Sequence, residues 1–204
     1  MAVSWGVVVP VKRLALAKSR LAAYGDATRE ALALAFAADV VLAAREVATV
    51  LVVTDDTTAA ALLTALGARV APDDPDAGLN PALAHGVELL LAEDPARGVA
   101  TLSADLPALR AAELRAALDQ VGPGERGFVA DRAGTGTTLL AAGPGASFEP
   151  AFGPGSRRAH LASGARELGA GAGLRHDVDT PDDLREALVL GVGPRTRAVA
   201  LGLP

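Results

Sequence analysis

Short apolar runs alternate with longer helical patterns along this chain, and that order is the strongest constraint on its fold. Residues 4–10, 50–54 and 99–103 are continuous apolar or β-branched runs typical of buried strands. Between the first two, apolar residues recur at helical spacing from 26 to 47. An alternating βα order predicts a three-layer α/β/α domain with a mostly parallel sheet. Ligands of such sheets bind beyond the carboxyl ends of the strands.

The remaining patterns extend the same architecture. Further strands are predicted at 69–71, 128–130 and 137–140, and further helices at about 58–66, 81–91, 111–121 and 156–168, with Pro181 opening a last one. After Gly191 the chain is rich in Pro and Gly, and we expect it to trail over the surface. The predicted organisation is one domain at 1–192 and a C-terminal tail at 193–204.

Composition excludes several classes of protein. A chain of 204 residues, half of them hydrophobic, suits one compact domain. Because it has no cysteine, it can form neither disulfides nor a thiolate metal site. No long uncharged apolar stretch predicts a membrane span, and the N-terminus lacks the basic start of a signal peptide, so a cytoplasmic protein is expected. A net charge of -5 argues against nucleic acid as a partner.

Three cations follow the first strand. The chain has 17 arginines but only two lysines, and both lysines, Lys12 and Lys18, lie here together with Arg20. Ammonium and guanidinium groups at the carboxyl end of a strand could surround a polyphosphate. The alternative is a solvated basic loop. The segment is not a P-loop, because the pattern G-x-x-x-x-G-K-[ST] is absent.

Acidic residues follow the third strand and precede the last helix. Asp105 comes just after residues 99–103. Asp177 and Asp179 lie two residues apart just before Pro181, so their side chains point the same way if the segment is extended. Carboxylates of this kind suit Mg²⁺, which also takes phosphate oxygens and waters. Asp105 could instead be an ordinary helix N-cap. Asp177 is the preferred second metal ligand, and Asp179 is the weaker candidate.

Two Gly-rich turns form the last signal. They are G-T-G-T-T at 134–138 and F-G-P-G-S at 152–156, where Thr138 and Ser156 offer hydroxyl groups for a carboxylate or phosphate. Ordinary turn and cap chemistry is the alternative. None of the three histidines has a Ser or Cys partner at a recognisable spacing, so no catalytic triad is predicted.

In their order along the chain, these motifs resemble a known enzyme family. They are V-P-V-K, A-K-S-R-L, L-N-P-A-L-A-H-G, S-A-D-L-P, D-R-A-G-T-G-T-T, F-G-P-G-S and D-V-D-T-P-D-D-L, within about residues 5–190. The chain resembles the family that contains 2-phospho-L-lactate and phosphoenolpyruvate guanylyltransferases of coenzyme F-420 biosynthesis. The resemblance implies a nucleotide-diphospho-sugar transferase (glycosyltransferase-A-like) fold. The L-x-G-G-x-G-x-R loop of related molybdenum-cofactor enzymes is absent.

The resemblance also implies roles for individual residues. The family's acid-binding site corresponds to Thr138, Gly153 and Ser156, and its Mg²⁺ site to Asp105 and, less surely, Asp177. Asn80 is placed, with Lys12, against the nucleotide. Lys12, Lys18 and Arg20 are the expected catalytic cations.

The expected reaction transfers GMP from GTP to the phosphate of a small phosphorylated three-carbon acid. The Ala/Arg-rich composition suggests a high-GC bacterium, for which the resemblance implies phosphoenolpyruvate as the acceptor. 2-Phospho-L-lactate is the alternative acceptor. The rival functions are a sugar-phosphate or molybdopterin nucleotidyltransferase and a non-catalytic nucleotide-binding module. A homodimer is left open.

Overall fold

The computed structural model describes residues 3–74 and 76–203, so Met1, Ala2, Pro75 and Pro204 lie outside the described chain. Seven described strands form one sheet in the order β3-β2-β1-β4-β6-β5-β7. They are β1 (Trp5–Pro10), β2 (Thr49–Val53), β3 (Arg69–Ala71), β4 (Gly98–Leu102), β5 (Arg126–Ala130), β6 (Thr137–Ala142) and β7 (Arg166–Glu167). Only β6 runs antiparallel to its neighbours β4 and β5. The predicted, mostly parallel sheet is confirmed.

Eight α-helices connect or flank these strands in the described chain. They are α1 (Asp26–Ala44), α2 (Thr57–Ala65), α3 (Leu79–Glu93), α4 (Ala111–Leu118), α5 (Ser156–Ala162), α6 (Ala172–Arg175), α7 (Pro181–Leu190) and α8 (Pro194–Ala200). Two 3₁₀ turns, Leu14–Leu16 and Ser19–Tyr24, lie between β1 and α1. None of the helices in the described ranges has the length and apolar character that a membrane span needs.

The two faces of β1 show why the domain has three layers. Val7 and Val9 pack in a core with residues of α1, α2 and α4, whereas Val8 packs in a second core with α3. Side chains alternate across a strand, so a fully apolar strand needs a helical layer on each face. On the α3 side the contact is very close: a Cβ on Gly86 would lie 2.7 Å from Val8 Cγ1.

The helix predicted at 156–168 is shorter in the structure. α5 ends at Ala162, and the chain then turns into the short strand β7. The turn contains Gly164 at φ +87°, and Ala165 N donates to the carbonyl of His160. Glycine adopts this left-handed conformation readily, so it ends the helix.

The segment after Gly191 also differs from its prediction. Residues 194–200 form α8, and Thr196 is fully buried. The buried carboxylate of Asp39, on α1, accepts hydrogen bonds from the backbone N–H groups of Arg195 (3.0 Å) and Thr196 (2.8 Å). This cap satisfies free donors at the helix start and anchors α8 against α1.

Candidate active site

The loop after β1 brings Lys18 against two carboxylates. Lys18 Nζ lies 2.5 Å from Asp105 Oδ2 and 2.7 Å from Asp179 Oδ1, and only 12% of its side chain is exposed. Its backbone is left-handed, at φ 52° and ψ 44°. Arg20 is mostly exposed and reaches Asp179 Oδ2 at 3.4 Å. Two of the three predicted cations therefore meet the acidic segments at one point.

Backbone contacts hold the acidic segments together. Asp105 follows β4, and its carbonyl accepts a hydrogen bond from Val178 N at 3.0 Å. Thr180 and Asp183 form a capping box at the start of α7. The Asp183 carboxylate also accepts from the N–H of Asp179 at 3.2 Å. The chain between Asp177 and Thr180 is thus fixed at both ends beside Asp105.

The charges in this cluster perturb one another. Burial alone would lower the pKa of Lys18, but the charges of Asp105 and Asp179 raise it above its ordinary value. Lys18 is therefore a firmly charged ammonium. Burial, followed by the charge of Asp105, raises the pKa of Asp177 to about 6, with smaller contributions from Asp179 and Asp131. Asp177 therefore holds its proton more tightly than an ordinary aspartate does.

The donor set suits a hard divalent cation. Asp105 Oδ1 is buried and has no hydrogen-bond partner among the described residues. A buried carboxylate oxygen without a partner is costly, and a cation would satisfy it. Asp177 adds a carboxylate whose charge is disfavoured as it stands. Carboxylate oxygens are the ligands that Mg²⁺ prefers, so Asp105 could supply one ligand to such an ion.

A cavity of about 450 Å³ opens beside this cluster. Lys12, Lys18, Arg20, Asp105 and Asp179 all contribute to its wall. A concave site with several cations and carboxylates can hold a polyphosphate and its counter-ion. Five predicted site residues lie outside this wall, namely Asn80, Thr138, Gly153, Ser156 and Asp177.

Asn80 is bonded to the second Gly-rich turn. Its Nδ2 donates to the carbonyl of Phe152 at 3.0 Å, and its Oδ1 accepts from Phe152 N at 2.8 Å. The neighbouring Leu79 lines the cavity beside Lys18. Asn80 therefore ties the start of α3 to the turn that carries Gly153 and Ser156.

The residues predicted to bind the acid lie on β6 and on the turn before α5. The hydroxyl of Thr138 is buried and donates to the carbonyl of Leu174 at 2.7 Å. Ser156 is buried at the first position of α5. Gly153 is exposed at φ +135°, with open space where a Cβ would stand. Thr138 thus offers lone pairs rather than a free donor.

His160 stabilises the Gly-rich turn at 152–156 through hydrogen bonds, a role that the sequence did not indicate. Its Nε2 accepts the N–H of Ala151 at 3.0 Å, so Nδ1 carries the proton and donates to Thr137 Oγ1 at 2.9 Å. Burial, and then the charge of Arg126, lowers the pKa of His160. The imidazole is therefore neutral and structural. The position of a histidine in the first turns of a helix gives no sequence signal that it will bond to a neighbouring turn.

Asp131 and Asp56 are two further residues whose roles sequence reasoning missed. Asp131 accepts the N–H groups of Thr135 (2.9 Å) and Gly136 (2.8 Å), which fixes the first Gly-rich turn. Asp56 caps α2 through Ala59 N and also accepts Leu14 N at 2.9 Å. An aspartate directly before a helix signals a cap, but nothing near Asp56 in sequence indicates its second contact.

A cationic loop and a carboxylate cluster at the carboxyl edge of such a sheet are the features of a nucleotide-transferring enzyme. The match to known sequences is more specific. A family model described as "Guanylyl transferase CofC like" matches residues 5–200. The chain belongs to this family of guanylyl transferases.

Curated relatives are similar over nearly the whole chain. A phosphoenolpyruvate guanylyltransferase from Thermomonospora curvata is 58% identical, and the match covers 98% of this chain and 90% of that protein. A protein of the same name from Streptomyces scabiei is 57% identical, with 98% and 97% covered. One from Streptomyces coelicolor is 55% identical.

Solved structures share the fold at much lower identity. A nucleotidyl transferase from Methanothermobacter thermautotroptrophicus superimposes with a TM-score of 0.66 at 21% identity, covering 93% of this chain and 98% of that one. A 4-diphosphocytidyl-2C-methyl-D-erythritol synthase superimposes with a TM-score of 0.59 at 14% identity, covering 93% and 99%. The predicted fold class is confirmed.

Proposed function

We propose that this protein transfers GMP from GTP to the phosphate of phosphoenolpyruvate in coenzyme F-420 biosynthesis. A phosphate oxygen of the acid forms a bond to the α-phosphorus of GTP. The bond from that phosphorus to the bridging oxygen breaks, and pyrophosphate leaves. The products are enolpyruvoyl-2-diphospho-5'-guanosine and pyrophosphate. High identity to relatives named for this reaction supports the proposal.

The observation that carries the proposal is the Lys18 ammonium held between Asp105 and Asp179 at the cavity wall. The phosphate nucleophile is already anionic, so the reaction requires no general base. The protein must instead bring two anions together and neutralise the charge that develops on the leaving group. Lys12, Lys18 and Arg20 line the cavity and supply positive charge for this purpose, with Lys18 and Arg20 held in place by Asp105 and Asp179.

Mg²⁺ is the cofactor that we propose for this site. Asp105 and Asp177 would hold it, supported by the unpartnered Oδ1 of Asp105 and the raised pKa of Asp177. Bound there, the ion supplies positive charge close to the phosphate oxygens. Asp179 keeps Lys18 and Arg20 beside the same position.

The acid is assigned to the turn that carries Gly153 and Ser156, and the nucleotide to Lys12 and the neighbourhood of Asn80. The hydroxyl of Thr138 already donates to Leu174, so Thr138 supports this region rather than donating to the acid. The bond between Asn80 and Phe152 supports closeness of the two substrates, because one residue links the α3 start to the acid turn. The second candidate acceptor, 2-phospho-L-lactate, has the same heavy-atom skeleton.

Pyrophosphate release from GTP tests the proposal directly. Purified protein is incubated with Mg²⁺ and either phosphoenolpyruvate, 2-phospho-L-lactate or a sugar phosphate. We expect the highest kcat/KM with phosphoenolpyruvate and GTP. A preference for 2-phospho-L-lactate would correct the acceptor only. Absence of release with every acid, despite GTP binding, would indicate a non-catalytic nucleotide-binding module.

A further inference from the structure

Arg29 is a buried charge in the first turn of α1. Only 7% of its side chain is exposed, whereas the carboxylate of its partner Asp26 is 86% exposed. Its other carboxylate partner, Glu30, lies 3.4 Å away and is partly exposed. Ion pairs with carboxylates that face solvent contribute little, so these two do not explain why the guanidinium is buried.

The guanidinium instead binds the backbone of the loop after β1. Arg29 Nη1 donates to the carbonyls of Leu14, at 3.0 Å, and Ala17, and Nη2 donates to that of Ala15 at 3.2 Å. Three carbonyls within four residues are therefore satisfied by one side chain. A guanidinium suits this task because its donors form a rigid planar fork, which neither an ammonium nor an amide reproduces.

This segment separates the two lysines of the site. Within it, the 3₁₀ turn has only two backbone bonds of its own, Leu16 N to Arg13 O and Ala17 N to Leu14 O. Such short turns are held mainly by their surroundings. Asp56 holds the amide of Leu14 from one side, and Arg29 holds the carbonyls from the other.

The contact with Ala17 bears most directly on the site. Lys18 follows at once in a left-handed conformation, which is unfavourable for a residue with a side chain. That backbone directs Nζ to Asp105 and Asp179. Fixing the preceding carbonyl therefore fixes the direction of the Lys18 side chain.

We propose that Arg29 is a positioning residue for guanylyl transfer, which orders residues 14–17 so that Lys12 and Lys18 both face the cavity. The inference rests on the proposed function but adds a residue that touches neither substrate. Loss of Arg29 would leave both lysines in place along the chain, with their ammonium groups displaced. A displacement of about 1 Å can reduce turnover by about 10²-fold.

Three variants and one control test this role. Arg29→Met keeps much of the buried volume without donors, Arg29→Lys keeps the charge without the fork, and Arg29→Ala leaves space for a free guanidinium ion. Arg45→Met, at the exposed C-terminal end of the same helix, is the matched control. The readouts are kcat and KM for GTP and phosphoenolpyruvate, and the melting temperature without ligands.

We expect kcat to fall by about 10- to 100-fold in Arg29→Met and Arg29→Lys, per folded molecule, with Arg45→Met close to wild type. Guanidinium ion at a non-denaturing concentration should restore part of the activity of Arg29→Ala and leave wild type unchanged. Unchanged kcat in a folded Arg29→Met or Arg29→Lys protein would overturn the proposal. So would an activity loss that follows only the unfolded fraction, with no rescue.

Failure of the underlying function gives a different result. If wild type itself releases no pyrophosphate with phosphoenolpyruvate, the proposed function fails before any variant is compared. If wild type is active and the Arg29 variants match it, only the positioning role fails. Arg29→Lys serves as the second variant if Arg29→Met does not fold.

Discussion

Asp105 binds two neighbours and keeps one carboxylate oxygen buried without a partner among the described residues. Its Oδ2 accepts a hydrogen bond from Lys18, and its backbone carbonyl accepts one from the N–H of Val178. Its Oδ1 is buried and has no partner in the described chain. An aspartate that served only as a helix cap would not need these contacts. The residue therefore organises the site as well as taking part in it.

Replacing Asp105 by Asn should show how much of its contribution comes from the negative charge and how much from the size of the side chain. Asn keeps the size but removes the negative charge that balances Lys18 and would hold Mg²⁺. We expect turnover to fall by about 10²-fold or more, with the fold retained. Pyrophosphate release and circular dichroism measure the two effects. Asp182→Asn, at an exposed aspartate of α7 whose ion-pair partner in the described ranges is Arg185, is the control and should be near wild type.

The raised pKa of Asp177 predicts a pH-dependent stability. Its folded pKa of about 6 exceeds the ordinary value of 3.8, so the folded state holds this proton more tightly than the unfolded state. The stability from this group is complete below the ordinary pKa and is lost as pH rises through about 6. Asp177→Asn, which stays neutral, should therefore raise the melting temperature at about pH 8 more than at about pH 5.

Thermal melts of apo protein in EDTA check this expectation. Chelation matters because a bound cation would favour the charged carboxylate and mask the effect. An equal gain at both pH values would show that Asp177 titrates in its ordinary range.

The sequence predicted which residues lie in the candidate site better than it predicted which of them form ion pairs with one another. It indicated that Lys18, Asp105 and the 177–179 segment lie at one edge of the sheet, because each follows or adjoins a strand or helix end. It preferred Asp177 over Asp179, yet the structure pairs Lys18 with Asp179. Period-two alternation places two side chains on one side of a segment but does not decide which one meets a cation from a distant loop.

Among the elements, α8 shows how a distant residue creates a helix. Pro at its first position favours helix formation, but seven residues are too few for a stable isolated helix. The cap comes from Asp39, which is 156 residues away from Arg195 in sequence. No local pattern at 193–204 could have indicated that contact, whereas the apolar runs of β1, β2 and β4 are evident from their own residues.

Removing this cap should destabilise the protein without affecting catalysis. Asp39→Ala leaves two N–H groups at the start of α8 without their acceptor. We expect a loss of about 1–2 kcal/mol, or about 2–8 °C in melting temperature. Thermal denaturation measures the loss, and kcat at low temperature should stay near wild type. A large fall in kcat at full folding would instead connect α8 to the active site.

For the whole molecule, the sequence predicts the fold well but predicts the ligand preference poorly. The three-layer, mostly parallel sheet follows from the alternation of strands and helices, and a solved structure at 14% identity shares the architecture. A preference for one base requires contacts from several loops, and no single residue type announces it. The family match supports guanine.

Binding of GTP to the folded state should therefore raise the melting temperature of the protein more than ATP does. At a GTP concentration of about 100 times Kd, linkage predicts about 2.7 kcal/mol of stabilisation, or about 5–10 °C. Scanning fluorimetry with Mg²⁺ and either GTP or ATP measures this shift. Equal shifts with both nucleotides would contradict guanine preference and leave nucleotide binding itself intact.

The ion pair of Lys18 with Asp179 joins positions 161 residues apart, and that with Asp105 joins positions 87 apart. A ribosome must therefore synthesise most of the chain before the second partner of the lysine exists. Fragments released early, or chains truncated before Asp179, would leave the ammonium with half of its counter-charge. The ion-pair cluster of Lys18 is thus complete only after Asp179, close to the C-terminal end of the chain, has been synthesised.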